Sequence, residues 1–319
     1  MADALTLFYV ADIHGSDVCF RKWLNAGKVY QADILILGGD ITGKLFVPLY
    51  PRGATTVATW EGRLVTLETE AEVAEFSQKA RAKGAYTYRT TPEEMEQLKH
   101  SIELERSIFR QLKHQALSEW IDWADQRLRD GKVRALVMAG NDDPPEIEEV
   151  LNSAKRLENV GDQVVELGKG IAMASMGEST PTPWHTPREL GEETLGEKAA
   201  EIITGLPANG VGIWNFHMPP YNTGIDAAPM LDAEFRIQYD SSGGPKMVPV
   251  GSTALRALIE EHQPTIALHG HIHEGRGRYR LGQTVGFNPG SHYTEGELLG
   301  VLLRISASKG LISYTFTAG

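Results

Sequence analysis

The sequence of 319 residues holds a single cysteine, Cys19. That excludes an intramolecular disulfide framework and a zinc site built on several thiolates. No run reaches the roughly 18 apolar residues that a membrane-spanning helix needs. The opening MADALTLFYVADIHG lacks a basic segment and a small-residue cleavage site, so no secretory signal and a cytoplasmic location are expected. Dense Lys/Arg stretches are also missing: 31 basic residues stand against 42 acidic ones, a formal net charge of −11. Affinity for long nucleic acid comes mostly from neutralising phosphates. Nucleic acid and membrane are therefore not expected partners, and small substrates are. There is no internal repeat and no low-complexity tract.

What is present is ordinary globular usage, 41% hydrophobic and 23% charged, on a chain long enough to bury a sizeable core. Five apolar runs punctuate it: residues 5–11 (LTLFYVA), 32–37 (ADILIL), 133–139 (VRALVMA), 211–216 (VGIWNF) and 265–268 (TIAL). They are short and mostly without alternation, which predicts strands buried on two faces. Residues 18–26 predict a helix between the first two runs, hence a right-handed β-α-β unit.

The region from 44 to 130 reads differently. Residues 53–67 predict two strands around Glu61-Gly62, 68–82 a short helix and 86–89 a strand. Thr91-Pro92-Glu93-Glu94 starts a helix expected to run to about Arg129. The segment at about 46–90 is read as an insertion into a single domain spanning 1–319. It is cap-like, with neutral decoration or a dimer contact as alternatives. Four strand-like runs lie between 277 and 316, with the turn Asn288-Pro289-Gly290-Ser291 among them.

Each of the five apolar runs stops at a polar cluster, and together the clusters carry Asp12, His14, Asp40, Asn141, His217, His271 and His273. In an open α/β sheet, ligands bind beyond the carboxyl ends of the strands, so these seven side chains can converge. Imidazole mixed with carboxylate oxygen suits Mn²⁺, Fe²⁺ or Zn²⁺. Seven ligands with one shared carboxylate suit a pair of ions about 3.5–4 Å apart.

The ordered series Asp-x-His, Gly-Gly-Asp, Gly-Asn-x-Asp, an isolated His after a strand, and Gly-His-x-His resembles the calcineurin-like metallophosphoesterase family. The match runs from Asp12 to His273. The resemblance implies a four-layer α/β/β/α sandwich of two mixed sheets flanked by helices, with the strand-rich tail in the second sheet. It implies that Asp12, His14 and His273 hold one ion, that Asn141, His217 and His271 hold the other, and that Asp40 bridges them. The implied function is hydrolysis of a small phosphodiester or phosphomonoester, by attack of a bridging metal-bound hydroxide. The alternatives are a nuclease of the same family and a catalytically weak or inactive protein-interaction module on this fold.

One departure from the family pattern matters. Asp142 follows Asn141 where many relatives have a histidine that contacts phosphate or protonates the leaving group. Asp142 is then either a proton donor of raised pKa or a group that points elsewhere. Arg276 or Arg278 is a candidate source of outer positive charge, and Tyr221 and Asn222 are candidate substrate contacts. His269 is read as a hydrogen-bonded interior residue, and His292 and His185 as loop residues. His100, His114 and His262 are read as ordinary residues on helical or helix-end patterns.

Overall fold

The computed structural model describes residues 4–319. Two six-stranded sheets face one another. The first runs β18 (Gly310–Ala318), β17 (Leu299–Ser306), β1 (Ala4–Val10), β2 (Ile34–Gly38), β7 (Arg134–Met138), β8 (Leu157–Asn159). The second runs β15 (Gly277–Leu281), β16 (Thr284–Asn288), β14 (Ile266–Leu268), β11 (Val211–Phe216), β10 (Ile171–Met176), β9 (Gln163–Gly168). Both are mixed. β1, β2, β7 and β8 are parallel, as are β10, β11, β14 and β16, while β1–β17, β17–β18, β9–β10 and β15–β16 are antiparallel.

The side-chain alternation of a strand turns these sheets into four layers. Leu7, Tyr9, Ile34, Ile36, Leu136 and Met138 point inward and meet Met173, Ile213, Ile266, Leu268 and Phe287 of the opposite sheet. Their neighbours Phe8, Val10, Leu35, Leu37 and Val137 point outward. There they bury against α1 (Asp17–Val29), α4 (Ile102–Arg127) and α5 (Ile147–Asn152), with Phe20, Trp23 and Trp120 at the centre. On the far side Ala174, Trp214 and Phe216 pack on Leu195 of α6 (Glu192–Ile203) and Leu255 of α7 (Thr253–His262). The result is the α/β/β/α sandwich that the resemblance implies.

Two expectations need correction. The tail does not build the second sheet alone. It gives β15 and β16 to that sheet, and β17 and β18 to the first, where β17 closes against β1. The helix expected from Thr91 to Arg129 is two helices, α3 (Pro92–Leu98) and α4. Ser101 breaks it: its hydroxyl accepts from the Leu104 amide as an N-cap and so starts a new helix.

Between β2 and α3 the chain forms a separate four-stranded sheet, ordered β5 (Arg63–Leu67), β4 (Thr55–Trp60), β3 (Leu45–Arg52), β6 (Ala85–Arg89), with α2 (Glu70–Ala82) packed on it. Glu61 and Gly62 both have positive φ, 49° and 75°, as a two-residue hairpin turn requires. This unit has its own small core around Val47, Leu49, Ala58 and Val73. It is tied to the first sheet's loops, where Tyr86 Oη accepts from Gly43 N at 2.9 Å and Ser16 donates to Ala82 O at 2.6 Å. A short arm, β12 (Ala227–Pro229) with β13 (Met247–Pro249), extends from the segment after β11.

Candidate metal centre

The carboxyl ends of β1, β2, β7, β11 and β14 lie together, and the loops leaving them carry all seven candidate ligands. The loops are zipped by backbone bonds: Asp12 N to Gly39 O, His14 N to Asp40 O, Gly270 N to His217 O. His271 N donates to both oxygens of Asp12, at 3.0 and 3.1 Å, which fastens one sheet's loop to the other's. Asp143, the acidic residue expected in the Gly-Asn motif, accepts from Gly140 N, Ile41 N and Thr42 N and clamps two loops together. Asp12, His14, Asp40 and His271 all adopt positive φ, between 38° and 66°. Such a backbone costs on the order of 1–3 kcal/mol per residue and clusters at functional sites.

Donor atoms converge accordingly. His14 Nε2 lies 2.9 Å from His273 Nε2, 3.9 Å from Asp12 Oδ1 and 3.6 Å from Asp40 Oδ2. His217 Nε2 lies 3.4 Å from that same Asp40 oxygen and 3.8 Å from Asp12 Oδ1. His271 Nδ1 meets Asn141 Oδ1 at 2.8 Å. Asp12, His14, Asp40, Asn141 and His217 are buried, and His271 and His273 partly so. The structure thus brings all seven together, with Asp40 between His14 and His217.

The donor chemistry fits divalent cations. His217 Nδ1 bonds Gly38 O at 2.8 Å, and a carbonyl only accepts, so Nδ1 carries the proton. That leaves Nε2 as a lone pair facing carboxylate oxygens, with no hydrogen-bond partner. Lone pairs aimed at one another in a buried pocket are costly unless a proton or a cation sits among them. In the metal-free protein the proton takes that place. Burial would lower the His217 pKa, but the Asp40 and Asp12 charges overcome it and push it up to about 10. Burial keeps His14 and His271 neutral, the latter down to about 4.

A cation at His217 must displace that proton. Below about pH 10 the metal-free imidazole is charged, whereas the bound form uses its lone pair. Cation affinity is therefore expected to rise about tenfold per pH unit across the neutral range, with about one proton released. Titration calorimetry with Mn²⁺ in buffers of different ionisation enthalpy measures this; affinity independent of pH would contradict it.

Sequence reasoning missed several supporting residues. Thr186 lies in a Pro-rich stretch with only loop character, yet its hydroxyl accepts from Asn141 Nδ2 at 2.9 Å and donates to Glu189 at 2.7 Å. This holds the amide with its oxygen toward His271. Thr186→Val keeps the volume and removes the hydroxyl. It is expected to weaken cation binding about 10–100-fold; an affinity equal to that of the wild type, read by competitive titration, would contradict this role. Asn288 Nδ2 donates to Gly270 O and Ile272 O, and Ser291 to Asp12 O, so the tail's turn supports the histidine loop. Tyr293 lies against the rings of His14 and His273.

The remaining candidates sort cleanly. Asp142 N donates to Asp40 Oδ1 at 3.0 Å, while its carboxylate lies 2.5 Å from Lys44 Nζ. Burial and the Asp40 charge push the Asp142 carboxyl up to about 6, against the pull of Lys44. Arg276 and Arg278 do not face the ligands: Arg276 bonds Pro289 O and Thr317 O, and their guanidinium groups lie over Phe316 and Tyr314. Tyr221 and Asn222 are exposed, and neither has a hydrogen bond or ring contact with the seven among the described residues. His269 is fully buried between Phe216 O and Tyr279 Oη, His292 is an exposed partner of Glu297, and His185 is a loop residue.

No family model matches the chain. An uncharacterised protein of Methanocaldococcus jannaschii, MJ1162, is 31% identical over 159 residues, which is 49% of this chain and 64% of that protein. The match therefore spans less than two thirds of that relative. Two solved structures share the fold. One covers 98% of both chains at 14% identity with a TM-score of 0.53. The other, TT1561 of Thermus thermophilus, covers 99% of this chain and 98% of its own at 12% identity, with a TM-score of 0.51. Among the described residues no helix is long and apolar enough to cross a membrane.

Proposed function

We propose that this chain, which has the four-layer fold of the calcineurin-like metallophosphoesterases, hydrolyses a small phosphate ester with two divalent cations shared through Asp40. One observation carries the reading: a single Asp40 oxygen lies 3.6 Å from His14 Nε2 and 3.4 Å from His217 Nε2. A carboxylate between two imidazole nitrogens divides the seven donors into two sets. Asp12, His14 and His273 would hold one ion, and Asn141, His217 and His271 the other. Mn²⁺, Fe²⁺ and Zn²⁺ all suit this mixture of imidazole, carboxylate and amide. Bound there, such a pair would lower the pKa of water towards neutrality and would supply the charge that a phosphoryl group needs.

The chain's own residues do the rest. Asp12 and Asp40 contribute two negative charges, so two dications leave a net positive site for a phosphate anion. Backbone bonds from His271 N and Asp142 N hold the two carboxylates in place before any ligand arrives, which reduces reorganisation during reaction. The partner class is a small phosphate ester, in keeping with a net charge of −11 and no basic stretch to follow a nucleic-acid backbone.

The test is turnover of bis(p-nitrophenyl) phosphate and p-nitrophenyl phosphate by metal-stripped protein refilled stepwise with Mn²⁺. Turnover rising with the second equivalent supports the reading, and the preferred ester separates diester from monoester chemistry. Filled sites without turnover of either ester or of a wider phosphate-ester panel would point to an interaction module instead.

A further inference from the structure

Resting on that reading, we propose that Lys44 grips a phosphoryl oxygen of the substrate at the mouth of the site, and that Asp142 is the carboxylate that positions it. Lys44 lies four residues beyond Asp40, on the loop that leaves β2. Its ammonium is 2.5 Å from Asp142 Oδ2, and its side chain is 36% exposed. An ammonium has three N–H donors; one is used by Asp142, and the described residues offer the other two no hydrogen-bond partner. The Asp142 carboxylate is itself part of a group with His14 and Asp40 whose ligand atoms all lie within 4.8 Å of one another. The ammonium is therefore one hydrogen bond removed from the proposed cation cluster, on its solvent side.

The other cations nearby are committed. Arg276 and Arg278 face the tail, as described. Arg188 donates to Asp143 O and pairs with Glu148. Lys113 is buried behind the loop, 3.5 Å from Asp142 O. Of these, Lys44 alone pairs with the Asp142 carboxylate, and its ammonium keeps open donors there. Asp142 is held from both ends, its amide on Asp40 and its carboxylate on Lys44, which fixes the ammonium at a set place. A carboxylate engaged in this way serves as an anionic tether, so a lysine–aspartate pair stands at the position after Asn141 where the resembled family's pattern often has a histidine. A phosphoryl oxygen bound by an ammonium makes a charge-assisted hydrogen bond.

The test uses the full chain loaded with Mn²⁺, and inorganic phosphate as the probe. Phosphate affinity is read by calorimetry, cation content by elemental analysis, and turnover on aryl and alkyl phosphates alongside. Lys44→Met is expected to keep both cations while phosphate binding weakens about 10–100-fold, and Lys44→Arg to restore most of the loss. Asp142→Asn is expected to keep both cations, to weaken phosphate binding less than Lys44→Met does, and to slow aryl and alkyl esters by similar factors. Lys44→Met with phosphate affinity and cation content like the wild type overturns the proposal. Asp142→Asn that loses a cation, or that loses alkyl-ester turnover far beyond aryl-ester turnover, overturns the tether role. Wild-type protein that takes up cations yet neither binds phosphate nor cleaves any ester overturns this proposal and the function beneath it together.

Discussion

Replacing Asp40 by asparagine is expected to abolish turnover and to weaken cation binding in the same variant. Asn is isosteric and keeps an oxygen that can accept the Asp142 amide, a bond of 3.0 Å in the native protein, so the loop retains its main local tie. What disappears is the negative charge nearest both His14 and His217. Losing a hydrogen bond that merely supports a ligand costs roughly 10–100-fold in cation affinity or activity; losing the shared charge itself should cost more, about 10³-fold or greater in kcat/KM. The measurement is cation content and kcat/KM on the better aryl ester, side by side with circular dichroism to show that the variant is folded. Full activity with both ions retained would refute the bridging role.

The second large effect needs no change in charge. At Gly140 a Cβ would lie 2.2 Å from Asp40 Oδ1 and 2.3 Å from Asp40 N. Gly140 is not among the glycines at positive φ, so alanine meets no backbone restriction there and the conflict is purely steric. Asp40 N belongs to the backbone just past β2, which cannot swing aside as a flexible side chain can. Gly140→Ala is expected to cost about 1–3 kcal/mol of stability by overpacking, and to displace the Asp40 carboxylate enough to weaken both cation sites. Gly191→Ala, where a Cβ meets nothing within 4 Å, should leave cation affinity unchanged. Thermal unfolding and Mn²⁺ titration of the pair measure both effects. A Gly140→Ala protein that binds cations like the wild type would show that Asp40's position is not critical.

The seven candidate ligands are legible because each directly follows an apolar run, and buried strands end where polar side chains can meet. The sandwich is legible only through the family resemblance that the ordered motifs after those runs carry. Other features depend on partners distant in the chain, which no local pattern carries. Lys44 becomes informative only beside Asp142, and Thr186 only beside Asn141. Ser291 gains its role by reaching Asp12 from the far end of the sequence. β10 escapes a sequence reading because IAMASM, rich in Ala and Met, has weak strand preference; its place between β9 and β11 compensates. The tail's hairpins look alike in sequence, yet pairing of β17 with β1 and of β16 with β14 sends them to different sheets.

The arginines after the last motif fail as candidates for a related reason. Proximity in sequence to His273 says little, because Arg276 just before β15 and Arg278 within it both turn onto the tail, over Phe316 and Tyr314. Lys44 leaves a turn instead, and the Asp40–Lys44 loop keeps it beside the ligands.

The most direct measurement is diffraction from crystals of the Mn²⁺-loaded protein soaked in phosphate, with anomalous data collected at the manganese edge. Two peaks about 3.5–4 Å apart, with Asp40 between them and phosphate on both, are the expected result. A single peak, peaks away from Asp40, or phosphate bound elsewhere would contradict a shared two-cation centre for phosphate-ester hydrolysis.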